Sequence, residues 1–172
     1  MRLNDSLRSE LRQEVKAERF DITPEGVYFP RNGINVNGEY FARVNGGGWE
    51  KEGDNLVVNE GLVHVLNVAL GSTAKPAGYF LALFSGSTTP VANWTAASFA
   101  AVANEIVSQT EGYTGATRPA WTPATATTGS IDNLASAAQM TMATSGTLNV
   151  TGAALLTSSQ RGGTTGVLVS AS

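Results

Sequence analysis

The side chains best equipped for chemistry gather in one stretch, EGYTGATRPAWTP, residues 111 to 123. It holds Arg118, the aromatics Tyr113 and Trp121, and Pro119 and Pro123, within a region nearly empty of charge. A guanidinium in such surroundings calls for a carboxylate, and Glu105 and Glu111 are the nearest in sequence. Arginine pairs with a carboxylate through two parallel N–H donors and also lies favourably on aromatic faces. Each proline fixes its own φ and biases the residue before it toward extended geometry, so the segment is stiff. The reading that follows is a structural clasp of Glu105, Tyr113, Arg118 and Trp121, ahead of a ligand or partner site.

Other chemistry lacks its parts. There is no cysteine, which removes disulfides, thiolate nucleophiles and thiolate metal sites. The single histidine, His64, sits between valines in an apolar stretch and reads as a packed or surface residue rather than a catalytic one. QRGGTTG is rich in glycine but lacks the lysine of a phosphate-binding loop, and no G-x-S-x-G elbow occurs. After residue 60 the carboxylates are Glu105, Glu111 and Asp132. Two of them would suffice for glycan hydrolysis, with Trp94, Trp121, Tyr79 and Tyr113 as stacking aromatics, but that reading ranks last. The expectation is no catalytic residue, no metal and no cofactor, hence not an enzyme.

Charge is distributed unevenly. The formal net charge is −3, so nothing marks a nucleic-acid partner. Residues 61 to 172 carry only Lys75, Arg118, Arg161, Glu105, Glu111 and Asp132, whereas the first 60 hold all other charged residues. A soluble domain usually keeps about a quarter of its residues charged. A body so poor in charge has either a Thr/Ser-covered β surface or much of its surface covered by partners. No apolar run has membrane-spanning length, and the charged N-terminus lacks the apolar core of a signal peptide. Synthesis in the cytoplasm without export by that route is expected, which leaves the NWT and NVT acceptor motifs idle.

The elements that must position these residues divide into an arm, residues 1–59, and a body, residues 60–172. In the arm, Leu3, Leu7, Leu11 and Val15 recur every four positions among Arg and Glu, which predicts an amphipathic helix with a narrow apolar stripe. Such a stripe needs something to lie against. Leu3, Leu7, Leu11, Val15 and Phe20 are therefore the candidate partner contacts, on the same domain or on a neighbouring subunit. Short β-type runs at residues 27–29, 39–44 and 55–58, separated by Asn-Gly and Gly-rich turns, predict hairpins or an extended arm.

The body opens with NEGLVHVLNVALG, read as a short buried helix that stops at Gly71. GYFLALFSG predicts a strand buried on both faces, and NWTAASFAAVANEI a helix capped by Thr95. EIVSQTEGY, SIDNL, AAQMTMAT, GTLNVTGAALLTS and TGVLVSAS read as further short strands between turn-forming segments. In AAQMTMAT, Ala138, Met140 and Met142 alternate with Gln139, Thr141 and Ala143, as a strand with one wet face does. The fold class expected is mainly β: a jelly-roll or β-sandwich body with one or two short helices, plus a helical or extended N-terminal arm.

The order EGLVHVLNVALG, YFLALFSG, WTAASFA, Glu105, Tyr113 with RPAW, GSIDNLASAAQMTM and GAALLTSSQRGGTTGVLVS resembles a family of tailed-bacteriophage capsid cement, or decoration, proteins with jelly-roll bodies. The resemblance spans about residues 60 to 170 and leaves the charged arm outside it. It implies a non-enzymatic, head-stabilising virion protein bound in many copies to the outside of the major capsid protein lattice, bridging capsomers. The expectation is a homodimer or homotrimer on the capsid, and charge and hydropathy add no nucleic acid or membrane partner. A head fibre or tail/baseplate component that binds a host surface glycan is the alternative.

Overall fold

The computed structural model describes residues 20–22, 28–30 and 36–172. The chain falls into two compact units, Met1–Asn35 and Val36–Ser172. In the first, β1 (Phe20–Ile22) and β2 (Tyr28–Pro30) pair antiparallel, with Asp21 opposite Phe29. The expected helix with Leu3, Leu7, Leu11 and Val15 lies outside the described residues. Phe20 opens β1.

The second unit is built on one six-stranded antiparallel sheet, order β3-β4-β8-β7-β5-β6. The strands are β3 (Gly38–Ala42), β4 (Glu50–Val57), β5 (Tyr79–Phe84), β6 (Ala120–Trp121), β7 (Gly152–Leu156) and β8 (Leu168–Ala171). The protein is thus mainly β, as its runs of β-branched and aromatic residues between turn signals imply. Residues 36–59, assigned to the arm on sequence grounds, belong to this second unit: β4 hydrogen-bonds to β8 through Leu56↔Ala171 and Val57↔Ser170. The β3–β4 hairpin turns at Asn45-Gly46, both with positive φ (51° and 74°), as an Asn-Gly pair favours.

Two short helices join the sheet, α1 (Asn59–Ala69) and α2 (Ala96–Val102). The sequence cue at Thr95 is realised: its hydroxyl accepts from Ser98 N, and the Ser98 hydroxyl accepts from Thr95 N, a reciprocal capping box. Glu60 ties the two helices together. One of its carboxylate oxygens accepts from Ala96 N in the first turn of α2 and from Leu168 N on β8, each at 2.8 Å. A carboxylate is favoured there because the first-turn amides of a helix lack partners of their own.

The core gathers on one face of the sheet. Ala82 and Phe84 of β5, Ala154 and Leu156 of β7, and Leu168 and Ala171 of β8 meet Trp94 and Phe99 from the α2 region. Phe84, Trp94 and Phe99 form an edge-to-face trio with ring centroids 6.0 to 6.5 Å apart. The run YFLALF, expected to be buried on both faces, alternates instead. Ala82 and Phe84 are buried, whereas Leu81 and Leu83 are only half-buried.

Residues 122–151 differ most from expectation. SIDNL and AAQMTMAT form no strand; a single turn of 3-10 helix spans Leu134–Ser136, and Met142 makes one isolated bridge to Tyr113. In GTLNVTGAALLTS only Gly152–Leu156 is a strand, and of EIVSQTEGY only Glu105 and Ile106 reach the sheet, Glu105 bridging Phe84 and Ile106 N donating to the Leu83 carbonyl. Alternating side chains permit a strand, but pairing needs a partner edge. Within the chain, the edge of β5 is already met by Pro119, Asn104 and Ile106.

Candidate functional site: a buried arginine clasp and an outward apolar helix

Two features could carry function, and they are opposite in kind. One is a closed network of charge inside the body; the other is an apolar face turned to solvent.

The network centres on Arg118, which is 1% exposed. Its Nε and Nη2 donate to the two carboxylate oxygens of Glu105, both at 2.7 Å, and Nη1 donates to the Ser158 carbonyl. Glu105 is 6% exposed and takes a third donor, Gly162 N, at 2.9 Å. That last bond depends on the backbone turn at Gly162, whose φ of 67° suits glycine. The Arg118 guanidinium also stands 5.9 Å from the centre of the Phe99 ring, so the ion pair abuts the aromatic core. A bidentate pair in which each guanidinium nitrogen donates is a geometry in which a buried charge is tolerated. It leaves Glu105 shut from solvent and held by three donors, which is a poor state for a general acid or base. Glu111 and Asp132, the other candidate carboxylates, are exposed; Glu111 accepts from the Thr144 hydroxyl, and Asp132 from Leu134 N.

A second arginine, Arg161 of the glycine-rich QRGGTTG, completes the arrangement. Arg161 Nη1 donates to the carbonyls of Tyr113 and Gly115, and Nη2 to those of Ile106 and Ser108. Its guanidinium lies 3.8 Å from the centre of the Tyr113 ring. The clasp is therefore divided differently from expectation. Glu105 and Arg118 pair as foreseen, whereas Tyr113, 1% exposed, serves as the platform for Arg161. Trp121 stands apart, edge-to-face with Tyr79 at 6.1 Å across the β5–β6 pair. The signal for Arg161 was present: it is one of only three cations after residue 60, and it is followed by two glycines that bring backbone close.

The outward feature is α1. Sequence alone made it a buried helix, and the structure corrects this: only Gly61 and His64 are buried. The reason is a close approach at Gly61, where an added Cβ would stand 2.1 Å from the Val169 carbonyl oxygen. The helix meets β8 along its glycine, not along its leucines. Leu62, Val63, Leu66 and Leu70 are left 38%, 58%, 52% and 76% exposed. Spaced at i, i+1, i+4 and i+8, they form one stripe, and α1 carries no charge beyond the engaged Glu60.

His64 points the other way, its Nε2 3.1 Å from the Tyr79 hydroxyl, in keeping with a packed histidine. Beside it lies an open depression of about 400 Å³ that includes Asn59, Glu60, Asn67 and Thr73. Glu60 is engaged with two backbone amides there, so the depression holds no free acid–base pair.

Among the described residues, no group of three or more His, Asp or Glu is placed to hold a metal ion. None of their helices is long and apolar enough to cross a membrane. No family model, no curated protein and no solved structure matches this chain.

Proposed function

We propose that this chain is a structural virion protein, a capsid cement or decoration protein that binds the outside of the major capsid protein lattice and stabilises the head by bridging capsomers. The observation that carries the reading is the outward stripe of α1: four large apolar side chains held in solvent on a helix that bears no charge beyond the engaged Glu60. Exposed apolar surface arranged on one element marks a surface for association. The motif order that resembles cement proteins supplies the identity of the partner. In this reading the six-stranded sheet is one layer of the jelly-roll body, and the arm with Leu3, Leu7, Leu11, Val15 and Phe20 supplies a second attachment. Several modest contacts on a repeating lattice then sum to tight attachment.

The clasp has a part in this function. A protein that bridges capsomers under outward pressure needs a body that does not deform, and Arg118 and Arg161 between them tie the segments around residues 105, 113, 118 and 160 to one another.

The test is co-sedimentation of the protein with expanded capsids of its phage. Leu66→Glu should weaken binding by about tenfold or more, since a buried unpaired carboxylate costs well over 1.4 kcal/mol, with the melting temperature unchanged. Deletion of residues 1 to 20 should weaken it separately. Undiminished binding by both variants would contradict the reading.

A further inference from the structure

The segment from residue 122 to 151 has properties that do not fit a free surface loop. Not one of its residues is buried, and none lies in a strand. Its regular structure is limited to the one 3-10 turn at Leu134–Ser136, and connections of this length with so little of their own are uncommon in compact domains and usually serve function or remain disordered. Solvated, disordered segments owe their state to high charge and few apolar residues. This one is the reverse: Asp132 is the only charged residue between Arg118 and Arg161. Ile131, Leu134, Met142 and Val150 stand 53%, 63%, 45% and 42% exposed. The alternation through residues 138–143 is that of a strand, yet it is paired only around Met142, along one side, with residues 112–114.

We propose that residues 122–151 are the contact between copies of this chain, becoming β-paired with the same segment of a second copy. Charge selects this occupant. Self-pairing across a symmetry axis sets like against like, and like charges directly opposite one another are destabilising. The other end of the sheet is unsuited to it. There the β3–β4 hairpin carries Glu39, Glu50, Glu52 and Asp54, with Lys51 held between Glu39 and Asp54 and a bulge at Tyr40/Phe41. Charge and a bulge are the features that keep an edge strand from pairing with a copy of itself. The 122–151 segment meets no such obstacle. It follows directly from the two-residue strand β6, which ends the sheet at that side. The inference is independent of whether the protein covers a capsid.

The test uses the full chain. Hydrogen exchange of residues 122–151 is followed across a protein concentration series, alongside native mass spectrometry. Protection of this segment should rise with concentration, in step with a dimer, the assembly that pairing of like with like produces. Ile131→Asp and Met142→Asp, both at exposed positions, should each raise the dissociation constant by about tenfold or more while leaving the far-ultraviolet spectrum and melting temperature unchanged. A chain that stays monomeric at about 100 μM, a weak affinity by the usual scale, would overturn the proposal. So would an oligomer in which both variants remain assembled, or protection that appears only when capsids are added. If one variant misfolds, the exchange of the unmodified chain still decides.

Discussion

The guanidinium of Arg118 meets the carboxylate of Glu105 through two parallel hydrogen bonds of 2.7 Å, with both side chains closed to solvent. Thirteen positions separate them, and the pair fixes the approach of the stiff RPAW segment to the end of β5, where Glu105 bridges Phe84. Desolvating two ions is costly, so such a pair adds little net stability relative to an apolar replacement, but removal of one partner leaves an uncompensated buried charge. Arg118→Ala and Glu105→Ala should therefore each cost about 3 kcal/mol or more. The double variant should cost clearly less than the sum. Urea denaturation of the three variants measures this; simple additivity would show that the two side chains act separately.

Arg161 works through carbonyls instead of a carboxylate. Arg161→Lys keeps the charge but replaces a planar fork by a point donor, so it cannot serve all four carbonyls. Hydrogen exchange around residues 106–115 should accelerate in that variant, and the melting temperature should fall. Unchanged exchange there would mean that the loop is held by other contacts.

Gly61 sets the position of α1. An alanine favours helix by about 1 kcal/mol over glycine, yet here its Cβ would meet the Val169 carbonyl, a backbone atom that cannot rotate away. Overpacking of this kind costs about 1–3 kcal/mol, so Gly61→Ala should be destabilising despite its helix propensity. A rise in the melting temperature would contradict the close approach.

At alkaline pH, three tyrosines should govern stability. Burial pushes the Tyr40 hydroxyl up to about 12 from its ordinary 10.0, against smaller opposing effects of its hydrogen bonds to Ser170 and Asn55. Tyr40 is only half-buried as a residue, but its hydroxyl end is enclosed by these partners. Burial also raises Tyr79 and Tyr113, the latter partly offset by Arg161. A folded-state pKa above the unfolded value means that the native state holds its protons longer. The stability so conferred is complete below the ordinary value and is lost as pH rises through the folded one. Between pH 10.0 and about 12 the unfolding free energy should decline, and Tyr40→Phe should flatten that decline. An equal slope in the variant would assign the loss to other groups.

Much of this architecture was legible in local signals. The Thr95 cap, the Asn-Gly hairpin, the Gly71 stop and the partnership of Glu105 with Arg118 depend on a few neighbouring residues, or on a cation having few acids to choose from. What was not legible depends on partners distant in the chain. The leucines of α1 read as core because apolar residues on a short helix usually are; that the buried contact falls on Gly61 follows from β8, more than a hundred residues later. Tyr113 was foreseen in the clasp, but its cation is Arg161, drawn in from the loop before β8. The alternation in AAQMTMAT signals the capacity to pair, without saying that the pairing edge lies in the same chain.

The most direct test of the structural role is copy number, by quantitative mass spectrometry of purified virions against the major capsid protein. A cement protein should be present within a few-fold of one copy per capsid subunit. A handful of copies per particle, or none, would contradict the account and point to a neck, tail or fibre part, or to a role outside the particle.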